Sequence, residues 1–218
     1  MPTLKQNGLS IVAVGDFNSK IFQPSWFVAE HLISETEAKE PTELFIEAHL
    51  STFKLPWVAV RVTPQQFIVQ TTQDSHSEAL RDLVLGTFRL LSHTPITQLG
   101  INVDQHYLCE DMEHWNNFGH QLAPKSEWLK VMKDPGLVSM KMKDKAAREG
   151  GPPGYTQVDV ASSGLFQPGI FFLVNNHYEW SAEGGAMGAT TMTKILESNF
   201  ASALANSKGI IDNLISLL

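Results

Sequence analysis

The sequence predicts an α+β fold: an antiparallel curved sheet, or two related sheets, with helices packed on one face. Three observations carry this expectation. Alternating apolar and polar stretches follow one another through connections of a few residues, as antiparallel neighbours do. Two stretches repeat apolar residues at i, i+3, i+4 spacing, the stripe of an amphipathic helix. The order strand, strand, strand, helix then occurs twice, within residues 44–107 and 137–206. Residue identity between the two is poor, so a pattern repeats inside one expected domain of residues 1–218.

Residues 9–14 are a nearly continuous apolar run stopped by Gly15-Asp16, which reads as a buried strand. Pro24 and the N-cap candidate Ser25 open a helix expected over 26–39, with Trp26, Phe27, Val28, Leu32 and Ile33 as its apolar side. One strand is expected over 44–51, where Leu44, Ile46, Ala48 and Leu50 alternate with Phe45, Glu47, His49 and Ser51. Two more follow at 57–63 and 67–72, rich in β-branched residues. Ser75-His-Ser-Glu78 has capping-box spacing and opens a helix on Leu80, Leu83, Val84, Thr87 and Phe88. Pro95 ends that helix, and 98–107 returns as a strand on Leu99, Ile101 and Val103.

In the second half, 110–118 and 125–132 read as short helices before Asp134-Pro-Gly136. Strands are expected at 137–143, 156–161 and 169–175. Between the first two lies Glu149-Gly-Gly-Pro-Pro-Gly154, expected to be a mobile loop over 145–154. Residues 186–206 form an amphipathic helix on Met192, Ile195, Leu196 and Phe200, and 210–218 is a separate short apolar segment.

Composition removes several function classes. Sixteen basic against 23 acidic residues give a formal charge of −7, the wrong sign for gripping a phosphate backbone, so no nucleic-acid partner is expected. The single cysteine, Cys109, cannot close an internal disulfide, which favours a reducing, cytoplasmic setting. The apolar run at 9–14 is too short for a signal-peptide core or a membrane span, so no membrane partner is expected.

Residues 44–107 also carry a resemblance. An acidic strand (Phe45-Ile-Glu-Ala48) leads to Val62-Thr-Pro-Gln-Gln-Phe67 and Thr71-Thr72, and an amphipathic helix then runs into Thr94-Pro-Ile-Thr-Gln-Leu-Gly-Ile101. Val158-Asp-Val160 and Glu197-Ser-Asn-Phe200 continue it, so that it spans residues 44–205. This resembles a sporadically distributed, functionally uncharacterised bacterial family whose members carry an Arg-Leu-Gly-Leu-Arg-Tyr type strand after the central helix. Gln98 and Asn102 stand here where that strand has arginines. The resemblance implies an α+β fold and supplies no catalytic residues.

Chemistry-bearing clusters are sparse. His106, Cys109, His114 and His120 are the candidate catalytic set, because imidazoles and a thiolate serve as metal ligands, bases or nucleophiles. Their spacing matches no zinc or hydrolase signature, and neither a metal nor a cofactor is expected. Glu47 and His49 form a second candidate pair on one strand face. Glu183-Gly-Gly-Ala-Met-Gly-Ala-Thr-Thr191 opens a helix but lacks the lysine of a phosphate loop, so close packing of the helix on a strand is the expected role.

The leading functional expectation is therefore a non-enzymatic binding or protein-interaction module, a subunit of a larger bacterial system. Its partner would be another protein or a second copy docked through the C-terminal segment, unless residues 210–218 dock back on their own domain, which is the first expectation for a short apolar terminal segment. The alternatives are a small hydrolase or metal-dependent enzyme using the His/Cys set, and a small-molecule-binding domain, which requires a largely apolar cavity with a few polar groups.

Overall fold

Two strands of 13 residues each, β1 (Thr3–Gly15) and β6 (Ile96–Leu108), run antiparallel along nearly their whole length, with Ile11 opposite Ile101. They form the middle of a nine-stranded antiparallel sheet in the computed structural model, which describes residues 2–39, 41–146, 152–180 and 188–217. Outward from β1 lie β5 (Gln66–Thr71), β4 (Ala59–Val62), β3 (Ser51–Lys54) and the edge strand β2 (Thr42–Ile46). Outward from β6 lie β9 (Gly169–Glu179), β8 (Gly154–Ser162) and the other edge, β7 (Ser139–Asp144). The α+β class is as expected, in one sheet rather than two.

Register explains why the helices share one side. Side chains alternate across a sheet, and the ladder Phe53–Val60–Val69–Ile11–Ile101 puts five apolar residues on a single face. Against it pack α1 (Pro24–Ala29), α2 (Ser77–Leu90), α3 (Met112–Leu122) and α4 (Gly188–Ile215). Phe27 of α1 meets Phe53 with ring centroids 5.8 Å apart, and Phe118 of α3 meets Phe172 of β9 at the same separation. Among the described residues the opposite face carries no helix, and a polar row of Gln70, Ser10, Asn102, Asn175, Gln157 and Lys143 stands in register on it across six strands.

Several elements differ from expectation, each for a local reason. The helix expected over 26–39 ends after Ala29, because His31 takes a positive φ of 57° and Ser34 turns both its N–H and its hydroxyl onto Glu37. Glu37 also accepts from the Trp57 indole at 2.7 Å, and the Ser34 hydroxyl does most to hold its carboxyl below the ordinary range. The strand expected over 44–51 is two strands, since the Glu47 N–H donates to the Leu50 carbonyl at 2.7 Å and folds the chain back. Glu47 and His49 therefore sit in a hairpin turn and not on one strand face.

The capping box at Ser75–Glu78 does not form: Ser75 meets the His76 ring, Ser77 bonds back to the Asp74 carbonyl, and α2 starts without a side-chain cap. The segment 125–132 holds only a 3-10 turn at Trp128–Lys130. At the C-terminus, the helix over 186–206 and the segment 210–218 are one helix of 28 residues, α4. Asn206-Ser-Lys-Gly209 looks like a stop in sequence, yet Ser207 bonds back to the Ala203 carbonyl at 2.9 Å and the helix runs on. Residues 147–151, in the expected mobile loop, and 181–187, in the glycine-rich turn, lie outside the described residues. Gly188 is described, and a Cβ there would meet the Ile96 backbone nitrogen at 2.3 Å, so only glycine lets α4 start this close to β6.

Candidate functional site

A cavity of about 360 Å³ opens where the first half of β1 and the second half of β6 meet the start of α2 and the last turns of α4. Strand alternation builds its floor. Asn7 and Leu9 on β1 share a face with Val103, Gln105 and Tyr107 on β6, and Asn7 stands directly opposite Gln105. Leu9, Val103 and Tyr107 are buried, while Leu4, Asp74, Lys208 and Asp212 form an exposed rim.

Four side chains on this wall join in one relay. The Tyr107 hydroxyl donates to Gln105 Oε1 at 2.8 Å, Gln105 Nε2 donates to Asn7 Oδ1 at 3.1 Å, and Asn7 Nδ2 donates to Asp74 Oδ1. The direction is forced from one end. An ionised carboxylate only accepts, so Asn7 must turn its NH₂ to Asp74; its oxygen then faces Gln105, whose oxygen in turn faces the phenol. Burial, helped by the Asp212 charge, pushes the Tyr107 phenol above its ordinary pKa, so it stays protonated as the relay's terminal donor. Lys208 and Asp212, one helical turn apart on α4, close the rim with an ion pair at 2.6 Å. The cavity thus has an apolar floor, one pre-ordered polar wall and charged groups at the mouth, the composition of a small-ligand site.

Sequence reasoning missed this site. The available signal was a break in alternation: Gln105 continues the series Leu99, Ile101, Val103 at a position where the core-facing pattern demands an apolar residue. Asn7 breaks the series of Leu9 and Ile11 in the same way.

The four His/Cys candidates fall in separate surroundings. His106 lies on the helix-free face, 8% exposed, with its Nδ1 2.9 Å from the Ser163 hydroxyl and its ring against Phe171. Cys109 is buried just past β6, and desolvation raises its thiol pKa, the opposite of what an activated nucleophile needs. His114 and His120 ride on α3, across the sheet from His106. His114 is paired with Asp111, whose hydrogen bond raises the imidazole pKa, and Asp111 also caps α3. His120 lines an apolar groove of about 320 Å³ beside Trp128 and Met132. No group of three or more His, Cys, Asp or Glu that could hold a metal ion occurs among the described residues.

Two groups on the open face are electrostatically unusual. Burial raises the Asp104 carboxyl pKa against the opposing pull of His106. Asn175 Oδ1 is buried over Gly100 with no hydrogen-bond partner among the described residues.

No protein-family model matches the chain, and no curated protein matches it. No helix among the described residues is long and apolar enough to cross a membrane.

Proposed function

We propose that the chain is a binding module that holds a small molecule in the cavity between β1, β6 and α4. The relay from Tyr107 through Gln105 and Asn7 to Asp74 carries this reading. It fixes four polar side chains in one direction along the wall of a 360 Å³ space, so a ligand need not order them on arrival. The ligand class that fits has an apolar body for Leu9, Val103 and Leu204 and a hydrogen-bonding end for the relay and the rim charges. Among the described lining residues, Asp74 is held by Asn7, Asp212 by Lys208, and the Ser77 hydroxyl donates to the Asp74 carbonyl, an arrangement that favours binding over catalysis.

A fragment screen by ligand-observed NMR, against the wild type and Leu204→Trp, tests the reading. Leu204 is half-buried on the wall, so the indole occupies the cavity without replacing a core side chain. Fragments are expected to bind the wild type with millimolar or better affinity and to weaken roughly tenfold or more in the variant. Binding that is absent, or indifferent to Leu204→Trp, would overturn the assignment.

A further inference from the structure

Three charged side chains line the cavity between β1, β6 and α4: Asp74, Lys208 and Asp212. Lys208 and Asp212 neutralise each other at 2.6 Å, so the one cation on the lining is already matched. Asp74 is in a different position. It forms no ion pair among the described residues, and Asn7, which holds its Oδ1, is neutral. Arg81, one turn into α2, does not reach it either: its guanidinium is taken up by Asp82 at 2.8 Å and lies over the Phe200 ring. Two carboxylates and one ammonium therefore leave the lining with a single net negative charge, and that charge sits on Asp74.

The neutral groups around it leave this balance standing. The Tyr107 hydroxyl commits its hydrogen to Gln105, and Gln105 and Asn7 each commit one N–H along the relay. The helix ends at the mouth offset each other, because α2 starts at Ser77 with a partial positive charge and α4 ends at Ile215 with a partial negative one. Asp74 Oδ2 accepts no hydrogen bond among the described residues. A carboxylate oxygen can only accept, and an ammonium brings three donors and no lone pair. The two are complementary, whereas an anionic group at the same place would be repelled.

We infer, resting on the binding reading above, that the ligand of this cavity is a primary amine in its ammonium form on an apolar body. The ammonium pairs with Asp74 at the mouth, and the body lies on Leu9, Val103 and Leu204. Asp74 is exposed, so water screens the pair and the preference over a neutral group is several-fold, not hundredfold. Against a carboxylate the preference is larger, since one attraction is lost and one repulsion added.

Phenethylamine, phenethyl alcohol and phenylacetate share one ring and differ in the charge at the other end. Each is titrated separately into the full chain at neutral pH and low salt, with binding followed by NMR. Phenethylamine is expected to bind roughly fivefold tighter than the alcohol, with phenylacetate the weakest of the three. High salt should shrink the first ratio towards unity, and Asp74→Asn should do the same at low salt. Asp74→Asn/Asp212→Asn leaves Lys208 as the only charge on the lining, so phenylacetate should become the tightest. Both positions are exposed and both replacements keep the side-chain size, and circular dichroism checks the fold. Phenethylamine that binds no tighter than the alcohol, or a preference that survives Asp74→Asn, would overturn the ligand class. Failure of all three to bind would overturn it too, and the comparison with Leu204→Trp then decides separately whether the cavity binds anything.

Discussion

Replacing Phe67 with alanine is expected to destabilise the protein by about 3–5 kcal/mol. Phe67 is fully buried on β5, and its ring centroid lies 4.9 Å from Phe88, 5.2 Å from Phe22 and 6.3 Å from Phe17. Those three rings belong to α2, to the chain just past a 3-10 turn, and to the loop after β1, so no single segment can move inward to fill the void. The cavity term therefore adds to the lost transfer energy instead of relaxing away. Against a typical total stability of about 5–15 kcal/mol, this is a large fraction, and the midpoint should fall by roughly 6–20 °C for a chain this size. Urea unfolding followed by circular dichroism measures it, with Phe67→Leu as the control that keeps most of the volume and should cost about 1–2 kcal/mol. A loss below about 1 kcal/mol for Phe67→Ala would mean that this aromatic cluster is not the structural centre of the first half.

What was legible in the sequence follows from range. Period-two alternation on Leu99, Ile101 and Val103, and the i, i+3, i+4 stripe from Leu80 to Phe88, depend on neighbours a few residues away, and the corresponding strand and helix are present. Boundaries failed where a distant or side-chain contact decided them. Glu37 stops α1 by drawing in Ser34 and Trp57, and Trp57 is twenty residues away. Asn176 is 2% exposed, donates to the Ala203 carbonyl and the Ser207 hydroxyl, and accepts from Asn206. A strand asparagine thus carries α4 past a sequence that locally reads as a helix end. The candidate site is illegible for the same reason, because its relay links β1, β6 and the turn before α2 across separations of up to 98 residues. The histidines and the cysteine drew notice as residue types, although nothing in their spacing required them to meet.

Deleting residues 209–218 should have the largest effect of all. The apolar content of this segment, read alone, requires a dock, with the chain's own domain as the first expectation and another chain as the alternative. The structure buries Ile211 completely in the chain's own core, with Ile210, Leu214 and Ile215 packed against it, while Leu217 remains 42% exposed. At about 1.5–3 kcal/mol per fully buried large apolar side chain, one such residue and three partial ones amount to roughly 4–7 kcal/mol, an upper estimate because the unfolded chain is itself partly collapsed. That approaches the whole stability of an ordinary domain. The deletion also removes Asp212, and with it the ion pair to Lys208 that closes the cavity rim and the charge that helps keep Tyr107 protonated. The shortened chain is therefore expected to melt far lower or to aggregate, and to lose fragment binding even where it stays folded. Ile211→Ala alone should cost about 2–5 kcal/mol without changing the molecular mass at equal concentration. If light scattering instead shows the deleted protein folded and as stable as the full chain but dissociated from a larger species, the segment serves a partner and not its own core.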